Sequence, residues 1–430
     1  MAHPARMGRL LRSPSPQRAS TGLAGDPGEP GQVRLDLLRA GLDDPSTPIR
    51  ARRKADVADR CRGVLRDFKP EVMLAGSQAD VDLGKQLGVQ QRAVQRAVRV
   101  VDAEAPAQRI ERVLRAGELA ARFVIFPMVN PLGLAQQMFG GHIGRYDFRS
   151  GTNFNRKWPD LFAAVGDTLG DRLTNDANEN VRTIREAVSA WLDDQKPATA
   201  LQRLRHLVMR EAYDADYVLD LHCDDEAMIH LFVTPDSMAE LGPLADWMGS
   251  VAQLTAEDSG GGSFDEVWPS LWTRLRAANP DKPIPFSARA ATLEYAGRHD
   301  VHDELGKRDA ENLFGYFQSQ GFVTRPVGRQ PEPAPLPRPL SGTQMLRVDQ
   351  PGLLAYRVNL GDIVAKGQPI ADLIALDGPG AFIERKPILA GTSGRVISRN
   401  TSKYVVPGDS IAKIVGEEPL SERTGYLLED

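Results

Sequence analysis

The stretch Tyr217-Val218-Leu219-Asp220-Leu221-His222 decides the fold more than any other part of the chain. Its continuous apolar run is typical of a strand that is buried on both faces of a sheet. Phe123-Val124-Ile125-Phe126 gives a second such strand, and Met228–Val233 and Ala290–Tyr295 give two more. Because these strands alternate with helical patterns, the sequence predicts an α/β fold with a sheet flanked by helices.

Apolar residues at helical spacing lie between the predicted strands. They indicate helices around Val181–Trp191, Leu201–Val208 and Leu305–Phe317, and the last of these is expected to stop at Gly321. Six prolines then crowd the stretch 326–340 and predict an extended linker.

Residues 341–430 show almost no helical period and contain an approximate repeat. Val358-Asn359-Leu360-Gly361-Asp362-Ile363-Val364 is echoed by Val405-Val406-Pro407-Gly408-Asp409-Ser410-Ile411, and Gly352 and Gly394 stand before the two copies. Gly-Asp turns between β-branched residues are typical of β structure, so we predict a small all-β domain built from two similar halves.

The first quarter of the chain has a different composition. Phe68 is the one aromatic residue in 1–117, although the chain has 14 Phe, 8 Tyr and 5 Trp. The same segment carries 18 Arg and 3 Lys against 14 Asp and Glu, whereas the whole chain has a net charge of −4. We therefore predict that 1–117 is an atypical, largely disordered or weakly helical segment. A basic arm that binds nucleic acid is the alternative for this segment, which has no aromatic interleaving.

Composition also excludes several classes of protein. Cys61 and Cys223 are the two cysteines, too few for a disulfide framework or a thiolate zinc cluster. No apolar run approaches 18 residues, and Met1–Ser20 lacks the apolar core of a secretory signal. We expect a cytoplasmic protein without a membrane partner. Whether it forms a homo-oligomer stays open.

Polar residues gather where the predicted strands end. Asp220 and His222 are two apart, so they share one face of their strand, and Asp220 can fix the tautomer of a metal-bound His222. Glu294, in an otherwise apolar strand, is a candidate general base. His230 is eight residues after His222, roughly 26 Å along a continuing strand, so the two can share a metal only if the chain turns back. Each pattern also fits a purely structural role.

Two further stretches are polar or glycine-rich. Asn153-Phe154-Asn155-Arg156 follows Arg145 and Arg149, and guanidinium groups suit the recognition of a carboxylate. A polar loop with surface arginines is the alternative for this stretch. Gly260-Gly261-Gly262 lacks the lysine of a phosphate-binding loop and is predicted to be a flexible loop.

Taken in order, these motifs resemble a known family. Met128-Val129-Asn130-Pro131, Asn153–Arg156, Asp220-Leu221-His222 and Leu293-Glu294, followed by a small β domain, resemble the succinylglutamate desuccinylase/aspartoacylase family of the zinc carboxypeptidase-like fold. The resemblance covers about 118–416. It implies a mixed α/β sheet with flanking helices in 118–325, a Pro-rich linker in 326–340 and, in 341–430, an all-β barrel resembling a biotinyl/lipoyl domain. Lys386 does not match a carrier lysine, so we expect a structural or shielding role for the barrel.

The resemblance also implies a reaction. It makes the protein a zinc-dependent hydrolase, a deacylase that cleaves the amide bond of a small N-acylated, amino-acid-like substrate by a zinc-activated water. His222 would bind the zinc, Asp220 would orient His222, and Glu294 would be the catalytic base and then acid. Asn155 and Arg156, with Arg145 or Arg149, would grip the substrate; the spacing does not decide between these two arginines.

One part of the family pattern is missing. The resemblance implies that a His-x-x-Glu pair upstream of Asn130 supplies the other two zinc ligands, but no histidine occurs between His3 and His142. The nearest match, Gln78-Ala79-Asp80-Val81, has Gln and Val at the two ligand positions. A non-catalytic remnant or binding protein of the same fold is therefore the alternative function.

The unusual composition and the missing His-x-x-Glu pair both concern residues 1–117. We hypothesise that 1–117 does not carry the family's N-terminal half-sheet, because of a frameshift or a wrongly chosen reading frame. Translation of the upstream DNA in every frame tests this, and we expect a His-x-x-Glu pair after an apolar run in another frame. Its absence from all frames would contradict the hypothesis.

Overall fold

The computed structural model describes residues 118–428 except 127, 140 and 143, together with 33–34 and 71–76. The predictions that concern Gln78, Asp80 and Val81 lie outside the described residues. Within the described part of the chain, no helix is both long enough and apolar enough to span a membrane.

The strands are numbered along the chain. They are β1 (Val33–Arg34), β2 (Glu71–Gly76), β3 (Arg122–Phe126), β4 (Gln137–Met138), β5 (Gly141–His142), β6 (Tyr217–Asp224), β7 (Glu226–Ala227), β8 (His230–Val233), β9 (Gln253–Thr255), β10 (Arg289–Gly297), β11 (Arg338–Pro339), β12 (Thr343–Arg347), β13 (Gly352–Tyr356), β14 (Ile363–Val364), β15 (Pro369–Ile374), β16 (Arg385–Leu389), β17 (Gly394–Arg399), β18 (Tyr404–Val405) and β19 (Ser410–Val415).

The α-helices are numbered in the same way. They are α1 (Pro131–Ala135), α2 (Leu161–Leu169), α3 (Ala177–Asp194), α4 (Ala200–Ala212), α5 (Met238–Met248), α6 (Phe264–Ala278) and α7 (Asp303–Ser319), and three short 3-10 turns complete the described helices.

A large mixed sheet forms the centre of the fold, in the order β1-β3-β2-β6-β10-β8-β9-β11. The pairings from β1 to β10 are parallel, β8 runs antiparallel to β10, and β9 and β11 continue parallel to β8. The mixed α/β architecture predicted from the sequence is therefore confirmed.

Each face of the large sheet is covered by helices. On one face, α2, α3, α4 and α6 contribute to a core that includes Ile184, Val188 and the fully buried Trp268. On the other face, α5 and α7 pack a second core around Phe123, Leu241 and Phe317. The helix predicted to stop at Gly321 ends at Ser319, and Gly321 has a φ of +74°, which favours glycine.

β2 is a strand in the first quarter of the chain that the sequence analysis did not single out. Glu71–Gly76 lies in the sheet between β3 and β6, with Gly76 opposite Leu221. Its apolar part, Val72-Met73-Leu74, is too short to stand out in a stretch without aromatic residues. This strand of 1–117 is thus part of the sheet, while the hypothesis about the reading frame stays a prediction.

The Pro-rich stretch 326–340 ends inside the large sheet. Arg338 and Pro339 form β11, which pairs with Leu254 and Thr255 of β9. A proline is tolerated there because β11 is an edge strand.

Residues 341–428, here called the C-terminal β domain, contain two sheets packed around one apolar core. The sheets have the orders β12-β19-β17-β14 and β16-β15-β13-β18, and their shared core includes Ile370, Val396 and Ile411. The predicted all-β character is observed, whereas the resemblance to a biotinyl/lipoyl domain stays a prediction. Lys386 lies in β16 and pairs with Asp349 at 3.0 Å.

The internal repeat predicted from the sequence is visible in matching turns. The Asp362 carboxylate accepts a bond from the Asn359 amide at 2.8 Å, and the Asp409 carboxylate accepts the equivalent bond from the Val406 amide at 2.8 Å. The glycine before each aspartate has positive φ, +89° for Gly361 and +97° for Gly408. The two halves therefore use the same side-chain-locked turn.

The close packing of α5 against α7 gives a test of the fold. A Cβ at Gly315 would overlap the ring of Trp247, so we expect Gly315→Ala to lower the free energy of unfolding by about 1–3 kcal/mol, as overpacking does. Urea denaturation measures this. The control is Gly166→Ala in α2, where the new Cβ would meet Phe162 at an ordinary 3.6 Å; we expect no loss or a gain of up to about 1 kcal/mol. Equal effects in both variants would contradict the assignment.

Candidate functional site

Five of the predicted site residues line one pocket of about 770 Å³, namely Arg145, Asn155, Arg156, His222 and Glu294. It lies at the end of β6 and β10, the carboxyl edge at which α/β sheets place their ligand sites. The C-terminal β domain forms its other wall. The lining side chains include Arg145, Asn155, Arg156, His222, Asp265, Glu294, Arg298, Arg347, Arg399, Lys413 and Tyr426.

The strand register brings His222 and Glu294 together. Glu294 of β10 stands opposite His222 of β6 on one side and opposite His230 of β8 on the other. Residues opposite one another in a ladder point to the same face, so the three side chains form a row across three strands. His230 enters this row because the chain turns back after β6, the condition that the sequence analysis left open.

Asp220 and Asn155 hold His222 in place. The Asp220 Oδ2 atom is 2.9 Å from Nε2 of His222 and accepts a bond from Nδ2 of Asn155 at 3.2 Å. A carboxylate acceptor places the ring proton of His222 on Nε2, so Nδ1 is the nitrogen with the lone pair. The 3.2 Å contact between Asn155 Nδ2 and His222 Nε2 then joins two donors that share one acceptor.

Asn155 also organises the surrounding loop. Its Oδ1 atom accepts bonds from the indole of Trp158 and from the backbone amide of Phe264, both at 3.0 Å. Arg205 of α4, which the sequence analysis missed, donates to the carbonyls of Asn153, Phe154 and Arg156 at 2.6–3.0 Å. The predicted polar loop is thus a rigid part of the pocket.

Arg156 is buried at the pocket, and its side chain bonds to the adjacent residue Asn155 and to the distant Tyr426. Its Nη1 donates to the Asn155 carbonyl at 2.9 Å, and its Nε donates to the hydroxyl of Tyr426 at 3.2 Å. Tyr426 lies over Gly260 and Gly261, where any Cβ would overlap it.

The glycine run is therefore not a simple flexible loop. Gly260, Gly261 and Gly262 all have positive φ, and the carbonyls of Gly261 and Gly262 accept bonds from the amides of Lys157 and Trp158 at 2.7 and 3.0 Å. The prediction missed this role because Tyr426 is 165 residues further along the chain.

The structure separates the two upstream arginines. Arg145 is half-buried and lines the pocket, whereas Arg149 is exposed and does not line it. Arg145 therefore lies at the same pocket as Arg156, while its role in ligand binding stays a prediction.

Asp265 is a buried carboxyl of the pocket that the sequence analysis did not single out. Burial raises its pKa, and the nearby charge of Asp220 acts in the same direction, while bonds from Ser263 and Thr292 and the nearby His222 oppose the rise. It stands at the start of α6, close to Asp220 and His222. The one signal in the sequence is the acidic pair Asp265-Glu266 in the first turn of α6.

His230 is completely buried and neutral. Burial lowers its pKa to about 4, although the nearby Asp224 carboxylate acts in the opposite direction. Its Nδ1 contacts the Met228 carbonyl at 2.8 Å, and its Nε2 is 3.9 Å from Asp224 Oδ2. Asp224 itself pairs with Lys413 of β19 at 2.5 Å.

The described donor set does not fit the family's zinc centre. Among the residues that the structure describes, no three His, Cys, Asp or Glu side chains are arranged to hold a metal ion. His222 is one imidazole of the kind that binds zinc, and in the sequence the nearest match to the His-x-x-Glu pair has Gln78 and Val81, neither of which is a zinc ligand of the usual kind. The roles of the individual site residues stay predictions.

The role of Asn155 as an organiser can be tested by its removal. In Asn155→Ala the buried amide of Phe264 and the indole of Trp158 lose their acceptor, so we expect a loss of about 2 kcal/mol in unfolding free energy by urea denaturation. The control is Asn279→Ala, which removes one bond to Leu275 at a helix end and should cost under about 1 kcal/mol. A loss no larger than the control would show that Asn155 is not needed for the loop.

The buried His230 predicts an acid-sensitive fold. Its pKa in the folded protein is about 4, below the ordinary 6.5, so the unfolded chain binds the additional proton as the pH falls through this range. Stability is therefore lost below pH 6.5, by roughly 2 to 3 kcal/mol at pH 4.5. Urea denaturation at pH 7 and pH 4.5 measures how much the unfolding free energy falls between the two pH values. We expect this fall to be roughly 2 to 3 kcal/mol smaller in His230→Gln than in the wild type. An unchanged pH dependence in the variant would contradict the prediction.

Comparisons with known proteins concern one segment of the sequence and the fold. Residues 101–248 match the family model of the succinylglutamate desuccinylase/aspartoacylase catalytic domain. No curated protein sequence matches the chain significantly.

Solved structures show the same fold. A protein described as a succinylglutamate desuccinylase/aspartoacylase from Shewanella frigidimarina NCIMB 400 is 22% identical, with a TM-score of 0.65 over 81% of this chain and 89% of its own. A family protein from Shewanella amazonensis SB2B is 21% identical, with a TM-score of 0.65 over 81% and 91%. The product-bound ectoine utilization protein of Ruegeria pomeroyi is 14% identical, with a TM-score of 0.53 over 81% and 87%.

The motifs, the fold and the matched segment therefore agree: residues 101–248 are similar to the catalytic domain of the succinylglutamate desuccinylase/aspartoacylase family.

Proposed function

We propose that the pocket binds a small N-acylated, amino-acid-like molecule, and that this chain recognises the molecule without the zinc-dependent hydrolysis that the family resemblance implies. One observation carries the proposal. Asn155, Arg156 and His222 line a single pocket, whereas the sequence has no His-x-x-Glu pair upstream of Asn130, and its nearest match has Gln78 and Val81 instead.

The binding side of the proposal depends on Arg156. Its guanidinium is buried at the pocket and oriented by the Asn155 carbonyl and the Tyr426 hydroxyl. A planar guanidinium pairs well with a carboxylate, and removal from water strengthens such a charged pair. Arg145 adds a second positive charge to the same pocket. The carboxylate of an amino-acid-like ligand is therefore the group that this wall selects.

The catalytic side of the pocket has no set of three metal ligands among the residues that the structure describes. Hydrolysis of an amide needs a group that polarises the carbonyl as well as a base that activates water. In this fold zinc would supply the first, but the described side chains of the pocket offer it His222 as their one imidazole. Binding without turnover is what these residues support best.

Hydrolysis is the second candidate, and one observation favours it. Glu294 is buried in the pocket and stands in register with His222, whose tautomer Asp220 fixes. A carboxylate in that place would accept a proton from water and later deliver it to the leaving nitrogen. In this second reading the protein is a zinc-dependent deacylase, with ligands supplied by residues outside the family's usual pair.

Ligand binding tests the proposal. Isothermal titration of the full chain against a panel of N-acetyl and N-succinyl amino acids should find binding that falls at least roughly tenfold in Arg156→Gln. Arg149→Gln is the matched control, because this arginine belongs to the same polar stretch but is exposed and outside the pocket. No binding by the wild type, or equal loss in both variants, would refute the proposal.

Zinc content and turnover separate the two candidates. We expect the purified chain to contain well under one zinc per molecule by elemental analysis and to release no free amino acid from the bound panel members. About one zinc per chain, lost in His222→Ala, together with hydrolysis lost in Glu294→Gln, would establish the second candidate instead.

A further inference from the structure

Arg205 of α4 contacts the loop that carries Asn155 and Arg156, residues 153–157. Its guanidinium donates to four backbone carbonyls of this loop at 2.6–3.2 Å, those of Asn153, Phe154, Arg156 and Lys157. The fifth carbonyl, that of Asn155, accepts a bond from Nη1 of Arg156 at 2.9 Å. All five carbonyls of the loop are thus bound by guanidinium groups.

The charge of Arg205 is compensated by these carbonyls and not by an acid. In the part of the chain that the structure describes, no Asp or Glu pairs with this guanidinium, and burial alone lowers the pKa of Arg205 to about 10. The group is therefore charged at neutral pH. One face of it lies over the ring of Trp158, 5.0 Å from the ring centre. A partly buried cation of this kind needs the dipoles that surround it.

The loop in turn depends on the cation. Carbonyl dipoles that point toward one place repel one another unless a positive group lies among them. Lys157 has a φ of +58°, which is costly for a residue other than glycine and persists where surrounding bonds hold it. Trp158, below the guanidinium, donates its indole N–H to Oδ1 of Asn155. The loss of Arg205 would therefore release the loop that orients both Asn155 and Arg156.

We propose that Arg205 is a positioning residue of the site, an internal cation that holds residues 153–157 in the arrangement in which Asn155 and Arg156 face the ligand. This inference rests on the proposed function. Arg205 does not line the pocket of about 770 Å³ itself, so it acts on a ligand through the loop. An apolar side chain of similar length would keep much of the packing against Trp158 but would lose the bonds to the carbonyls.

Arg205→Met tests this role in the full chain. Hydrogen exchange measured by mass spectrometry should be at least roughly tenfold faster at the amides of Lys157 and Trp158, which bond to the carbonyls of Gly261 and Gly262 in the wild type. By isothermal titration, the N-acetyl and N-succinyl amino acids that the wild type binds should bind roughly tenfold more weakly to the variant.

Arg210→Met is the matched control in the same helix. Arg210 also donates to a backbone carbonyl, that of Ser189 at 3.1 Å, and its guanidinium also lies over a ring, that of Tyr213. Since Arg210 does not bond to residues 153–157, its replacement should change neither the exchange of the loop amides nor the affinity for the ligand.

Rescue by free guanidinium separates a positioning role from a general structural one. Arg205→Ala removes the side chain from among the four carbonyls, so a free guanidinium ion can take its place. Millimolar guanidinium chloride should then restore slow exchange of the loop amides and ligand affinity. The same concentration of tetramethylammonium chloride should restore neither, because that cation has no N–H donors.

The outcomes distinguish this inference from the proposed function. If the wild type binds ligand and Arg205→Met leaves loop exchange or affinity unchanged, the positioning role is refuted while the proposed function stands. The role is also refuted if Arg205→Met loses its cooperative thermal unfolding, or if guanidinium restores nothing in Arg205→Ala, because Arg205 would then serve the fold as a whole. If the wild type binds no member of the panel, the proposed function fails, and loop exchange alone decides whether Arg205 holds the loop.

Discussion

The in-register pairing of β6 with β10 is the constraint on which the site depends. It runs from Tyr217 opposite Arg289 to His222 opposite Glu294, so a shift of one residue would turn one of the two pocket side chains to the other face of the sheet. Burial on both faces makes such a shift costly, because each strand contributes apolar residues to the helix-covered cores. The same hydrophobic packing that stabilises the fold therefore also sets the geometry of the pocket.

The pocket is completed by a junction that begins two residues after His222. Asp224, Asp225 and Glu226 leave β6 and pair with basic residues on both sides of the pocket, and β7 joins the C-terminal β domain by backbone hydrogen bonds. Charged pairs at the surface contribute little, whereas these are partly buried, and Glu226 pairs with Lys403 as well as with Arg399. The C-terminal β domain is thus a wall of the pocket, and its second repeat turn, with Gly408 and Asp409, lines that wall.

Local patterns in the sequence predicted much of the fold and less of the site. The buried strands, the helix before Gly321 and the repeated Gly-Asp turns follow from periodicity and turn chemistry, which act between near neighbours. The contacts between Tyr426 and Gly261, and between Lys413 and Asp224, join residues that are far apart in the chain, and no local signal marks such pairs. His230 is instructive, since its distance from His222 depended on a reversal of the chain that spacing alone does not reveal. Gly260-Gly261-Gly262 was predicted to be a flexible loop for the same reason, because its contact with Tyr426 joins residues that are far apart in the chain.

The first quarter of the chain adds a strand to the sheet but has no recognisable pair of zinc ligands in its sequence. β2 ends at Gly76, opposite Leu221, so the sheet brings this segment to the residue before His222. Two positions later the sequence offers Gln78, whose amide is a poor zinc ligand, and then Val81, which has no donor at all. An apolar strand tolerates many sequences because the sheet needs only backbone bonds and bulk, whereas a metal centre needs specific donor atoms. A segment of altered composition can therefore keep β2 in the sheet although its sequence has no His-x-x-Glu pair, and this contrast is the reason for our proposal that the pocket holds a ligand without cleaving it.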